Sequence, residues 1–179
     1  MLKKTLIAAS LLIILFSFSL AVRHFSVTPA GKNTNSSINT APLFAANLTD
    51  IQGIKQDLGQ YQGKIIVLNF WATWCPPCRE EMPELSQLHQ AFQNKNVVVL
   101  GVAIDDPALV KDFLQSSPVN YPILIAENES MDLSTQLGND KDVLPYTVII
   151  NADGSVIDTF FGRISKPLLE STLQTLLPH

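Results

Sequence analysis

The chain has 179 residues, 46% of them apolar and 16% charged, which suits one ordinary domain with appendages and is too short for two full enzyme domains. That apolar content excludes wholesale disorder. Two cysteines exclude a disulfide-dense scaffold and a four-thiolate zinc site, and a net charge of −4 argues against a nucleic-acid partner, which calls for a basic face.

Lys3 and Lys4 precede an uncharged run from Thr5 to Val22, 18 residues closed by Arg23 and His24. No polar face interrupts the run, so a buried core helix fits poorly. Residues 1–24 read as a single-pass anchor in the inner membrane, for which about 18 to 20 apolar residues suffice. The alternative is a signal peptide cleaved near Ser19-Leu20-Ala21, releasing the protein to the periplasm. Lysines on the short N-terminal side predict that end in the cytoplasm and the remainder outside it. Beyond Arg23 stand 9 basic and 16 acidic residues, a charge that solubility explains. Residues 25–41, rich in Ser, Thr, Asn, Gly and Pro, read as a flexible tether to a domain at 42–179.

Within that domain Ile65–Phe70 is a nearly continuous apolar run, as expected of a strand buried on both faces. Met82, Leu85, Leu88 and Phe92 then recur at helical spacing, and Val97–Ile104 is a second buried strand. Asp106-Pro107 has the form of an N-cap followed by proline, opening a helix with Val110, Phe113 and Leu114; a short strand follows at Ile123–Ala126. Thr147–Asn151 and Val156–Phe161 flank the turn signal Ala152-Asp153-Gly154, and Leu168, Leu169, Leu173 and Leu176 mark a last amphipathic helix. The alternation predicts an α/β fold with a mixed central β-sheet flanked by helices.

Both cysteines lie in Trp74-Cys75-Pro76-Pro77-Cys78, after a buried strand and before a helix. A zinc site would need two further ligands, and His24, His89 and His179 are scattered. Haem attachment needs His after the second Cys, where Arg79 stands. An inert disulfide across two residues closes too small a loop to add much stability. The pattern favours a redox pair. At the expected N-cap, the Cys75 thiolate would face unpaired N–H groups and the positive end of the helix, which lowers its pKa. Pro76 and Pro77 lack amides where none is needed, leaving Cys78 as the main donor to the Cys75 sulfur. The result is a moderately acidic thiol and a reducing pair.

The segment Asn69-Phe70-Trp71-Ala72-Thr73-Trp74-Cys75-Pro76-Pro77-Cys78-Arg79-Glu80-Glu81-Met82-Pro83 resembles the active-site segment of thioredoxin-fold proteins. More narrowly, it is similar to the membrane-tethered, extracytoplasmic thiol–disulfide reductases of the TlpA/ResA/CcmG type. Gly63-Lys64, Leu144-Pro145-Tyr146-Thr147 and Asn151-Ala152-Asp153-Gly154 extend the match across the domain. The resemblance implies a thioredoxin-like fold with an N-terminal extension and a central helix–strand insertion at Asp106–Ala126. It implies Cys75 as the exposed nucleophile and Cys78 as the resolving thiol. Pro145 would be a cis-proline facing the pair, the backbone of Leu144 would meet an extended substrate segment, and Trp74 would lie on the substrate-binding rim. Pro83 would kink the helix.

Glu81, three residues after Cys78 and on the same helix face, matches the acidic residue that this subfamily places near its thiols. Partly buried and with a raised pKa, it would accept the Cys78 proton through water. Glu80 and Glu84 read as solvated surface residues, and His89 as solvent-facing. Asn69 stands where thioredoxin has a buried Asp and cannot serve as a base. Trp71 reads as core, and Asp105-Asp106 as helix capping, not metal binding. The implied partners are disulfide-containing protein substrates, apocytochrome c foremost, and a transmembrane thiol electron donor; no cofactor, metal or nucleic acid is called for. Two rivals remain: a peroxiredoxin-like peroxidase, whose Pro-x-x-x-Thr-x-x-Cys context is missing, and a thiol-based metal or haem chaperone.

Overall fold

Every residue of Ile65–Trp71 and of Val97–Ala103 is buried, and the two strands pair in parallel from Ile65↔Val97 to Trp71↔Ala103. Such runs, apolar on both faces, can only form the centre of a covered sheet. The structure is a computed structural model that describes residues 38–126 and 129–177. The Thr5–Val22 run and most of the expected tether lie outside the described residues. Among those described, no helix is long and apolar enough to cross a membrane.

The elements in chain order are α1 (Ala41–Ala45), β1 (Asn47–Asp50), β2 (Lys55–Asp57), a 3-10 turn (Leu58–Tyr61), β3 (Ile65–Trp71) and α2 (Pro76–Phe92). There follow β4 (Val97–Ala103), α3 (Pro107–Ser116), β5 (Ile123–Ile125), α4 (Glu129–Gln136), β6 (Tyr146–Ile150), β7 (Val156–Phe161) and α5 (Lys166–Leu176). The strands form one mixed sheet in the order β2-β1-β5-β4-β3-β6-β7. β5 joins β4 in parallel, so the α3–β5 insertion extends the sheet on the side away from β6. The β6–β7 hairpin turns at Gly154, whose φ of +87° suits glycine. Thr40, just ahead of α1, donates to the Gly154 carbonyl at 2.7 Å and ties the start of the fold to that turn.

Alternation along β3 divides the core into two layers. Ile65, Val67 and Trp71 face α2, α3 and α5, meeting Met82, Leu85, Leu88, Val110, Leu169 and Leu173. Ile66, Leu68 and Phe70 face the opposite layer with Leu43, Leu58, Leu133 and Leu137. Asn69 is the one polar side chain of β3, fully buried, and by parity it points toward α2. The end of β3 therefore delivers the chain to the start of α2 with a buried amide beneath that helix.

Candidate active site

Cys75 is the N-cap of α2, with extended backbone (φ −93°, ψ 104°), and its Sγ accepts the Cys78 amide at 3.3 Å. Pro76 and Pro77 occupy the first helical positions, where no intrahelical donor is required, so the cap falls on the amide expected. The helix then continues through Pro83 to Phe92. Cys75 and Cys78 are joined as a disulfide, with their Cα atoms 5.3 Å apart. In this closed form Cys75 is 3% exposed and Cys78 is not exposed at all, so the nucleophile expected to be exposed is nearly covered. Trp74, at 65%, and Pro76 are the exposed side chains within Trp74–Cys78, while Trp71 lies wholly in the core.

The turn leading to Cys75 is held from β4. Asp105 Oδ2 accepts both the Thr73 amide, at 2.9 Å, and the Thr73 hydroxyl, at 2.5 Å. The Trp71 carbonyl accepts the Ile104 amide and the Ala72 carbonyl accepts the Cys75 amide. Only Asp106 is a cap, accepting the Ala108 amide at the start of α3. The capping role expected of both aspartates thus belongs to Asp106 alone, and Asp105 fastens the active-site turn.

Glu81 is fully buried one turn beyond Cys78. Its Oε1 accepts from Asn69 Nδ2 at 2.7 Å and its Oε2 from the Ile164 amide at 2.9 Å. Asn69 Nδ2 also donates to Thr147 Oγ1 at 3.0 Å, across the β3–β6 register that pairs the two residues. Burial pushes the Glu81 carboxyl up to about 7, against the two hydrogen bonds and the Arg163 guanidinium, which favour the anion; Glu84 adds to the rise. Asn69, no base itself, orients this carboxyl through its Nδ2.

The Leu144–Pro145 peptide is cis. Tyr146 pairs with Phe70, so the register carries Pro145 to the level of Trp71, at the end of the sheet from which the Cys75 turn departs. The Pro145 carbonyl accepts the Gly162 amide at 2.8 Å, fastening β6 to the loop between β7 and α5. Leu144, half-buried, packs against both core layers. Residues of the insertion, Phe113 and Ser117–Val119, face Arg79, Met82 and Pro83 of α2 across a groove of about 620 Å³.

Two expectations for α2 fail. His89 is not solvent-facing: its ring lies half-buried 6.5 Å from that of Tyr121, and burial lowers its pKa. The segment before β5 folds over this part of the helix, a long-range contact that helical periodicity does not reveal. Glu84 is not a free surface residue either. Its Oε1 pairs with Arg163 at 2.9 Å and its Oε2 accepts the Lys166 amide at 2.7 Å, whereas Glu80 stays exposed at 3.8 Å from Arg163. Partners 79 and 82 residues away leave no local signature.

The comparisons agree with this geometry. Residues 39–159 match the AhpC/TSA family. The thiol-disulfide oxidoreductase ResA of Bacillus subtilis (strain 168) is 30% identical over 152 residues, covering 83% of this chain and 80% of that one. The ResA of Geobacillus kaustophilus (strain HTA426) is 33% identical over 141 residues, 78% of each chain. A secreted Mycobacterium tuberculosis disulfide oxidoreductase homologous to DsbE of E. coli superposes with a TM-score of 0.65 at 25% identity, covering 76% of this chain and 99% of that one. A thiol:disulfide interchange protein of the thioredoxin family from Chlorobium tepidum gives 0.64 at 25% identity, covering 74% and 93%. A cysteine pair at the start of α2, a cis-proline at the neighbouring strand and these likenesses converge: the chain belongs to the AhpC/TSA family of thioredoxin-like fold and, within it, with the ResA thiol–disulfide oxidoreductases.

Proposed function

We propose that this protein works as a protein-disulfide reductase outside the cytoplasm, tethered to the inner membrane by residues 1–24 and acting on disulfide-containing proteins, apocytochrome c foremost. The observation that carries the reading is the alignment along α2 of Cys75 at the cap, Cys78 one turn in and the buried Glu81 carboxyl one turn beyond. In the reduced enzyme the Cys78 amide and the positive end of α2 favour the Cys75 thiolate. It attacks a substrate disulfide: one substrate sulfur becomes bonded to Cys75 and the other leaves as a thiolate. Cys78 passes its proton through water to Glu81 and attacks Cys75 Sγ, breaking the mixed disulfide. The substrate leaves with both sulfurs reduced, taking up the proton, and its two electrons are those lost by the Cys75–Cys78 pair. The Leu144 backbone, ahead of the cis-Pro145, offers pairing to an extended substrate strand, and Trp74 an exposed apolar contact. A transmembrane thiol donor then restores the dithiol.

The peroxidase alternative needs Pro and Thr seven and three residues ahead of the reactive Cys, where Leu68 and Ala72 stand before Cys75. An oxidised peptide carrying Cys-x-x-Cys-His, the haem-attachment pattern, tests the reductase reading. The full-length Cys78→Ser variant accumulates a mixed disulfide with this peptide through Cys75, and Cys75→Ser accumulates none. Trapping by Cys75→Ser alone, or a peptide that the wild-type dithiol leaves oxidised, would overturn the assignment.

A further inference from the structure

The loop Gly162–Ser165 between β7 and α5 reaches the Glu81 carboxylate through the buried Ile164 amide, which donates to Oε2. Both flanks of that donor are held by one carboxylate on α2, one turn beyond Glu81. Glu84 Oε1 takes the Arg163 guanidinium at 2.9 Å and Glu84 Oε2 takes the Lys166 amide at 2.7 Å. Lys166 is the first residue of α5, and the N-cap Ser165 makes no side-chain cap bond. Glu84 therefore caps α5 from another helix, with its charge at the positive end. The loop is also held by the Gly162 amide on the Pro145 carbonyl and by the Ile164 side chain, which is buried in the core layer.

We infer that Glu84 is a positioning residue of the redox centre: by clasping Arg163 and the Lys166 amide it keeps the Ile164 N–H on Glu81. The inference rests on the role proposed for Glu81. The groups facing Glu81 are Glu84 and the cysteine pair on α2, Arg163 on the loop, Tyr121 ahead of β5, and the neutral Asn69 and Thr147 on β3 and β6. Glu84 acts on Glu81 in two opposed ways. As a like charge it raises the Glu81 pKa, so its removal as a charge alone would lower it. As a clasp it maintains the Ile164 hydrogen bond and the nearness of Arg163, both of which lower the pKa, so losing the clasp raises it.

The opposed signs make the test decisive. In the full-length oxidised chain in detergent, the Ile164 amide resonance followed against pH reports the titration of Glu81, with a wild-type inflection near 7. Glu84→Ala moves that inflection upward by about one pH unit. A downward shift, or an inflection that moves neither in Glu84→Ala nor in Lys166→Pro, overturns the inference while leaving the role of Glu81 standing. A wild-type resonance with no inflection between about pH 5 and 9 removes both. If Glu84→Ala leaves the inflection unmoved or fails to fold, Lys166→Pro takes its place: it deletes the clasped amide, keeps the charge of Glu84 and places proline where a helix accepts it. The same upward shift is expected, and an unmoved inflection overturns the inference.

Discussion

At the scale of single residues, the proposed chemistry turns on the Glu81 carboxyl group, held between the Asn69 amide and the Ile164 N–H, with its pKa raised to about 7 by burial. A group of that pKa accepts a proton near neutrality yet gives it up readily, as a base serving a thiol requires. The rate at which Cys78 resolves a mixed disulfide should rise with pH through about 7, as Glu81 ionises. Glu81→Gln should remove that limb and slow resolution by about 10²-fold, measured by stopped-flow Trp fluorescence. An unchanged pH profile would return Glu81 to a purely structural role. Stability carries the same signature. The folded pKa lies above the unfolded value of 4.5, so the stabilisation is present below 4.5 and is lost as pH rises through about 7. For this fully buried group the loss amounts to about 3 kcal/mol. Urea unfolding should therefore show the wild type weakening between about pH 5 and 8 while Glu81→Gln weakens less. Equal pH dependence in the two proteins would contradict the assigned pKa.

At the scale of elements, the active-site turn is a junction between the end of β3, the start of α2 and the end of β4. Neighbouring aspartates at that junction have different duties. Asp105 holds Thr73 through two hydrogen bonds, and Asp106 caps α3. Asp105→Ala should cost about 1–2 kcal/mol and also slow thiol exchange, because the Cys75 turn loses its tie to β4. Asp106→Ala should cost about 1 kcal/mol by urea unfolding and leave exchange unchanged. Equal effects of the two substitutions on exchange would show that the turn does not depend on Asp105. Cys75, Cys78 and Glu81 were legible because all three lie within two turns of one helix, in a segment that resembles the active site of the TlpA/ResA/CcmG-type reductases. Asp105–Thr73 and Glu84–Arg163 were not, because their partners meet only when distant elements pack.

At the scale of the whole molecule, the elements most readable from sequence were those with a continuous apolar run, a clear apolar stripe or a marked turn signal, as at the β6–β7 hairpin. β3, β4 and β6 stand out as apolar runs, and α2 as an apolar stripe ending at Phe92. The β1–β2 hairpin did not stand out. Asn47–Asp50 and Lys55–Asp57 are short, polar and largely exposed at one end of the sheet, and only Leu48 between them is buried. Helix α4, Glu129–Gln136, lacks a marked apolar stripe and was missed for the same reason. The joining of these elements into one sheet sets the redox pair against a packed core layer, with Trp74 exposed beside it and Trp71 buried beneath. That arrangement supplies an optical report on the central claim, that the pair is a reductant. The most direct test is the reduction potential of Cys75–Cys78 in the full-length chain, read by Trp fluorescence against a thiol buffer. A value near or below about −220 mV is predicted, in the range of reducing thioredoxin-like pairs; a value near about −120 mV, that of a strong oxidant, would contradict it.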